Sequence, residues 1–316
     1  MKMLNRIIGR VRARLIDSPS YCDERSASSF DATLKKLRRI EIVSNRIVDE
    51  SFHGQYKSAF RGQGIEFDEV REYVDGDDAR SIDWNVTARA AKPYVKRYAE
   101  ERERTLLIML DLSASNLFGA NVSRLESATE IAASLMFSAI KNNDKVGLLT
   151  FANGVRDFYP PKKGRKYALR LIKAMLQSEP EYTPTDLDAA LEFVNRTMRR
   201  RAIVFVLSDF YVNSLGKPLR ICKRRHDLIG ISIIEPVENA LPDLGFVTLQ
   251  DPETGEYLDV DSGCARFRKA IGARLKARRD SIAVKFKEMK VDLITIENGG
   301  DYVVPLRNFF RKRERR

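Results

Sequence analysis

The chain has 316 residues, 43% of them apolar, and a formal net charge of +12. That length suffices for one large domain or two ordinary ones with a buried core. Three cysteines without CxxC spacing argue against a zinc ribbon and a disulfide framework. No apolar run approaches the ~18 residues of a membrane span, and the start lacks a secretory leader's unbroken apolar core, so the cytoplasm is the expected compartment.

The charge is concentrated at the two ends. Residues 1–16 carry Lys2, Arg6, Arg10, Arg12 and Arg14 without an acid, and RNFFRKRERR at 307–316 carries six basic residues and Glu314. Leu4, Ile7, Ile8, Val11 and Leu15 recur at helical spacing beside a basic face. Such a helix either packs on the protein or lies on an anionic membrane surface, which would put the chain peripherally at the membrane's inner face. The expected organisation is a basic N-terminal segment (1–29), a helix and β-rich unit (30–104), an α/β domain (105–300) and a basic C-terminal tail (301–316).

A helix is expected over about 30–48, where Leu34, Leu37, Ile40 and Val43 mark one face. IEFDEVREY and PYVKRYAEE read as short strands around the turn-forming DGDD at 75–78. Trp84, the only tryptophan, is expected in the core of this unit, because tryptophan is mostly buried. Arg61, Arg71 and Arg80 face a choice of acids in Glu66, Asp75, Asp77, Asp78 and Asp83. From 105 onward strands and helices alternate: TLLIMLD, KVGLLTF, AIVFVLSDF, DLIGISIIEP and VDLITI are near-continuous apolar strands, separated by amphipathic helices. That pattern predicts a doubly wound, mostly parallel sheet covered on both faces.

In such sheets ligands sit beyond the carboxyl ends of the strands. Asp111 ends its strand and is followed by Ser113 and Ser115, which share its side if the chain stays extended. Asp209 ends a second strand, and Thr185 lies in the loop YTPTDLD before a helix that Asp186 begins. Two carboxylates and three hydroxyls form an all-oxygen set suited to a hard cation, magnesium or manganese, and unsuited to zinc. Asp and Ser at a strand end also serve as ordinary helix caps, and Ser208–Asp209 as an ordinary turn.

The set Asp111-x-Ser113-x-Ser115, Thr185, Asp209 resembles the metal-ion-dependent adhesion site (MIDAS) of von Willebrand factor type A domains. FRGQGIEFDEVREYVDGDDARSIDWNVTAR, with DYVVPLRNFFRKR near the end, resembles the family called domain-of-unknown-function fifty-eight, over roughly residues 30–316. The resemblance implies a von Willebrand A-like fold and a Mg2+ or Mn2+ site in which Ser113, Ser115 and Thr185 supply hydroxyls, while Asp111 and Asp209 bind directly or through water. It also implies a MoxR-type AAA+ ATPase as partner and a chaperone-like, non-enzymatic adaptor role, with client proteins offering an Asp or Glu to the metal. No specific nucleic acid is expected. The alternative is a magnesium-dependent nuclease or phosphodiesterase built on Asp111 and Asp209, with Asp186 and Asp188 as the only further acids expected nearby. There is no P-loop and no nucleophile elbow.

Overall fold

A computed structural model describes residues 12–13, 56, 59–60 and 65–315, apart from short segments at 91, 101–102, 118, 120–121, 213–214, 239–241 and 251–255. The helix expected over 30–48 lies outside these residues. So does the expected basic N-terminal helix, apart from Arg12–Ala13, a short strand (β1).

Two strands, β2 (Ile65–Glu72) and β3 (Tyr94–Glu100), form an antiparallel pair. Between them lie the DGDD turn and helix α1 (Trp84–Ala90). Asp83 begins α1 by accepting from the Asn85 and Val86 amides, as a cap should. Of the acids open to Arg71, Asp77 is its partner at 2.7 Å. Trp84 is not core: it is 70% exposed. The cap places it on the first turn of a helix that has no buried residue, so no packed helix face covers the ring among the described residues.

The central sheet has β4 (Thr105–Asp111), β5 (Lys145–Phe151), β6 (Val155–Lys162), β7 (Ile203–Ser208), β8 (Asp227–Ile234) and β11 (Asp292–Glu297). Their order is β11-β8-β7-β4-β5-β6, and every pairing is parallel except β5 with β6. A small antiparallel sheet joins β1, β9 (Phe246–Gln250) and β10 (Tyr257–Asp261). β6 has no apolar run and contains Pro160 and Pro161, which suit an edge strand because proline cannot donate to a ladder.

β4 explains why its sequence is apolar throughout. Leu106, Ile108 and Leu110 face one layer, with helices α2 (Arg124–Lys141), α3 (Arg165–Gln177) and α7 (Val303–Glu314). Leu107 and Met109 face the other, with α4 (Leu187–Thr197), α5 (Lys217–Arg225) and α6 (Ala265–Glu288). Alternate residues therefore serve two cores, and both must be apolar.

The segment expected as a basic C-terminal tail is α7. Leu306 and Phe310 are fully buried, and Phe310 packs against Tyr56 and Phe60 with ring centroids 5.9 and 5.6 Å away. Arg313 is bound to Asp227 at 2.7 Å. A few apolar positions at helical spacing outweigh the surrounding charge, because arginine can keep its head paired while its stem packs. Among the described cysteines, Cys222 is buried and Cys264 is exposed. No helix among the described residues is long and apolar enough to cross a membrane.

Asp144, at the opposite edge of the sheet from the carboxyl ends, accepts from the Arg104 amide at 2.9 Å. Burial pushes its carboxyl up to about 6. A carboxyl raised in the folded state costs stability as pH climbs from the unfolded value near 4 through 6. Asp144→Asn keeps the acceptor and removes the charge. It is expected to remove that decline, worth about 2–3 kcal/mol at neutral pH. Urea titrations of both proteins at pH 4.5 and 7.5 check this, with the difference markedly larger at the higher pH.

Candidate metal centre

The carboxyl edge of the sheet is lined with polar strand ends: Asp111 after the apolar run of β4, Ser208 and Asp209 after β7, Glu235 after β8, and Asn298 after β11. All of them are buried. Asp111 is 1% exposed, Ser113 0%, Ser115 1% and Asp209 5%.

Asp111 is held through both oxygens. Oδ1 accepts from the Ser113 amide at 2.9 Å and Oδ2 accepts from Ser208 Oγ at 2.6 Å. The chain does not stay extended after it, as alternation had suggested: Ala114–Leu117 form a 3-10 turn. The turn still brings Ser113 Oγ and Ser115 Oγ together, 2.9 Å apart. Asn116 Nδ2 closes the loop by donating to Ser113 Oγ and to the Asp111 carbonyl.

Asp209 is aimed by its neighbours. Oδ1 accepts from the Tyr211 amide at 2.9 Å. Phe210 between them has φ of 56°, in the left-handed region that a bulky residue rarely adopts. Its amide bonds to Ser208 Oγ, and its ring packs on Phe286 at 4.9 Å. These contacts hold the turn in a conformation that turns Asp209 toward the edge.

Thr185 is half-buried and lies in a loop stitched by its backbone to the strand ends. The Glu181 amide donates to the Leu112 carbonyl, the Ala114 amide to the Glu181 carbonyl, and the Asp186 amide to the Ala152 carbonyl. The loop from 181 to 186 is thereby sewn to the ends of both β4 and β5. Asp186 and Asp188, the acids expected near the metal, serve elsewhere: Asp186 caps α4 through the Ala189 amide, and Asp188 accepts from the Gly216 amide.

Burial, followed by the negative charge of Asp209, raises the Asp111 carboxyl to about 6, against the lowering effect of its hydrogen bonds. Two buried carboxylates repelling across one rim call for a cation between them. The hydroxyls fit such a cation. Two adjacent ligands of a magnesium octahedron, each at about 2.1 Å from the ion, stand about 3 Å apart, close to the 2.9 Å between Ser113 Oγ and Ser115 Oγ. The donor set is all oxygen, as a hard cation requires.

Sequence reasoning missed a second group beside this one. Arg124, the first residue of α2, is 2% exposed. Its guanidinium lies 3.5 Å from Asp209 Oδ2 and 3.9 Å from Glu235, and is bonded to Glu238. Glu238 also receives Tyr211 Oη at 3.1 Å and lies 3.7 Å from Arg279. Burial raises the carboxyls of both Glu235 and Glu238, while Arg124 opposes the rise. Arg124 and Arg279 thus offset the charge of Glu235 and Glu238. A local signal existed, since a cation on a helix's first turn opposes the dipole and calls for another partner. The acids themselves lie more than eighty residues away along the chain.

Residues 69–281 match the family model described as protein of unknown function DUF58. An uncharacterized protein of Mycobacterium tuberculosis, Rv1480, is 30% identical over 285 residues, covering 88% of this chain and 89% of its own. Among solved structures, BatB from Bacteroides thetaiotaomicron is 16% identical with a TM-score of 0.42, over 67% of this chain and all of that one. The von Willebrand A domain of SpRpn10 is 12% identical with a TM-score of 0.35, over 66% of this chain and 95% of that one. The sheet order and its single antiparallel edge strand carry the fold assignment. With most of its length matched by the family model, this chain belongs to the DUF58 family.

Proposed function

We propose that this protein is a non-enzymatic adaptor that uses a divalent cation, Mg2+ or Mn2+, to dock acidic groups of other proteins. The observation that carries the reading is the convergence of two buried carboxylates, Asp111 and Asp209, with the paired hydroxyls of Ser113 and Ser115 at one sheet edge. Asp111, Ser113, Ser115, Thr185 and Asp209 would hold the ion. The ion would supply an electrophilic position where an incoming Asp or Glu carboxylate can replace a water. The residues themselves confer the selectivity for a hard cation, and Phe210 and Ser208 keep the two aspartates aimed without help from the metal.

Nuclease or phosphodiesterase chemistry is less well supported. Carboxylate-rich sites serve two-metal hydrolysis, and the two extra acids at this edge, Glu235 and Glu238, are engaged by Arg124 and Arg279. Among the described residues, no three His, Cys, Asp or Glu side chains group to hold a metal.

The resemblance to families that accompany MoxR-type AAA+ ATPases supplies the proposed partner, with client proteins as the second. Immobilised protein is expected to retain such an ATPase or its clients from cell extract in Mg2+. Retention should fall to background in EDTA and in Ser113→Ala and Asp209→Ala. Retention that EDTA leaves unchanged would overturn the metal-dependent reading.

A further inference from the structure

Arg124 has no place among the ligands of a divalent ion, yet it heads the fully buried side chains by volume among the described residues. It stands on the first turn of α2, where the helix dipole disfavours a cation. A buried guanidinium persists only where it is paired and hydrogen-bonded. Here the pairing is divided. On one side is Asp209 Oδ2, at 3.5 Å. On the other are Glu238, directly bonded, and Glu235, at 3.9 Å.

Asp209 belongs to the proposed metal set; the two glutamates do not. Asp209 Oδ1 is committed to the Tyr211 amide, so Oδ2 is the oxygen that faces Arg124. We propose that Arg124 is a tethered competitor for the metal: it shares Asp209 while the site is empty, and withdraws to Glu235 and Glu238 when a divalent ion takes Asp209. The inference rests on the metal-binding reading and specifies how loading of that site is set.

The glutamates form a prepared seat. Glu238 is fixed by Tyr211 Oη and Arg279, and Tyr211 lies under Arg278 with the guanidinium 4.2 Å from the ring centroid. Glu235 accepts from Asn298 Nδ2, and Asn298 is itself tied to the Val122 carbonyl and to Ser127 Oγ. The seat is thus anchored on α6, on the end of β11 and on the start of α2, independently of Asp111 and the serines. Moving Arg124 toward it needs only a shift in sharing, because the guanidinium already touches both sides.

The test is a titration of EDTA-stripped protein with Mn2+, followed by the free-ion electron paramagnetic resonance signal. Arg124→Gln removes the competitor and is expected to bind Mn2+ about tenfold more tightly. Glu238→Gln weakens the seat, leaves Arg124 leaning on Asp209, and is expected to bind several-fold more weakly. The double variant is expected to match Arg124→Gln alone. If Glu238 acted on the metal simply through its charge, its effect would persist in the double variant, and the competitor role would be refuted. Affinity that is unchanged or lower in a folded Arg124→Gln would also refute it, making Arg124 a strut for Asp209. If Arg124→Gln does not fold, Glu238→Gln decides, with unchanged affinity the refuting result. Absence of Mn2+ binding in wild type and every variant would instead refute the metal-binding reading, and the competitor role with it.

Discussion

Asp111→Asn is expected to make the metal-free protein more stable at neutral pH and, at the same time, indifferent to Mg2+. The substitution keeps the shape and an acceptor for the Ser113 amide, while Ser208 Oγ can turn to accept from the new amide. It removes a buried negative charge that Asp209 repels and that burial has pushed up to about 6. In the wild-type protein, Mg2+ at a hundred times its Kd is expected to add about 2.7 kcal/mol. For a domain of this size that corresponds to a rise in Tm of about 5–10 °C. The variant should start higher and show no rise. This opposition is the mark of a group kept for binding rather than for folding. A cap or turn residue would behave differently: the variant would lose stability, and Mg2+ would shift neither protein.

Arg124→Ala is expected to be among the most damaging single substitutions in the chain. It strands Glu238, Glu235 and Asp209 without their shared cation and leaves the space of a large buried side chain. Breaking a buried ion cluster from one side typically costs about 3–5 kcal/mol. That corresponds to a fall in Tm of about 6–20 °C. Mg2+ should restore part of the loss, because the ion brings positive charge back beside Asp209. Chemical denaturation with and without Mg2+ measures both effects. Wild-type stability in Arg124→Ala would show that the guanidinium does not compensate these acids.

The doubly wound sheet was legible because β4, β7 and β8 are buried on both faces, and burial on both faces leaves an apolar run that periodicity detects. The polar edge that carries the candidate site was legible for a related reason: an apolar run that stops at a carboxylate marks the sheet edge where ligands sit. β6 was missed because an edge strand needs no apolar face and tolerates Pro160 and Pro161. α7 was missed because its basic residues outnumber Leu306 and Phe310, although those two do the packing. Trp84 was misplaced because composition argues for burial, whereas the Asp83 cap fixes the ring outside. Of the Arg124 cluster only the cation on a helix's first turn was readable; its acidic partners were not. The cluster depends on which strand ends lie next to each other, and sheet order, not sequence spacing, brings Asp209, Glu235 and Asn298 into one row.

The most direct test of the account is the stoichiometry of metal binding, by isothermal titration of EDTA-stripped protein with Mn2+. One ion per chain is predicted for the wild type, with binding lost in both Asp111→Asn and Ser113→Ala while circular dichroism shows the fold intact. A wild-type protein that takes up no Mn2+, or variants that bind it as the wild type does, would contradict a metal held by Asp111 and its neighbours.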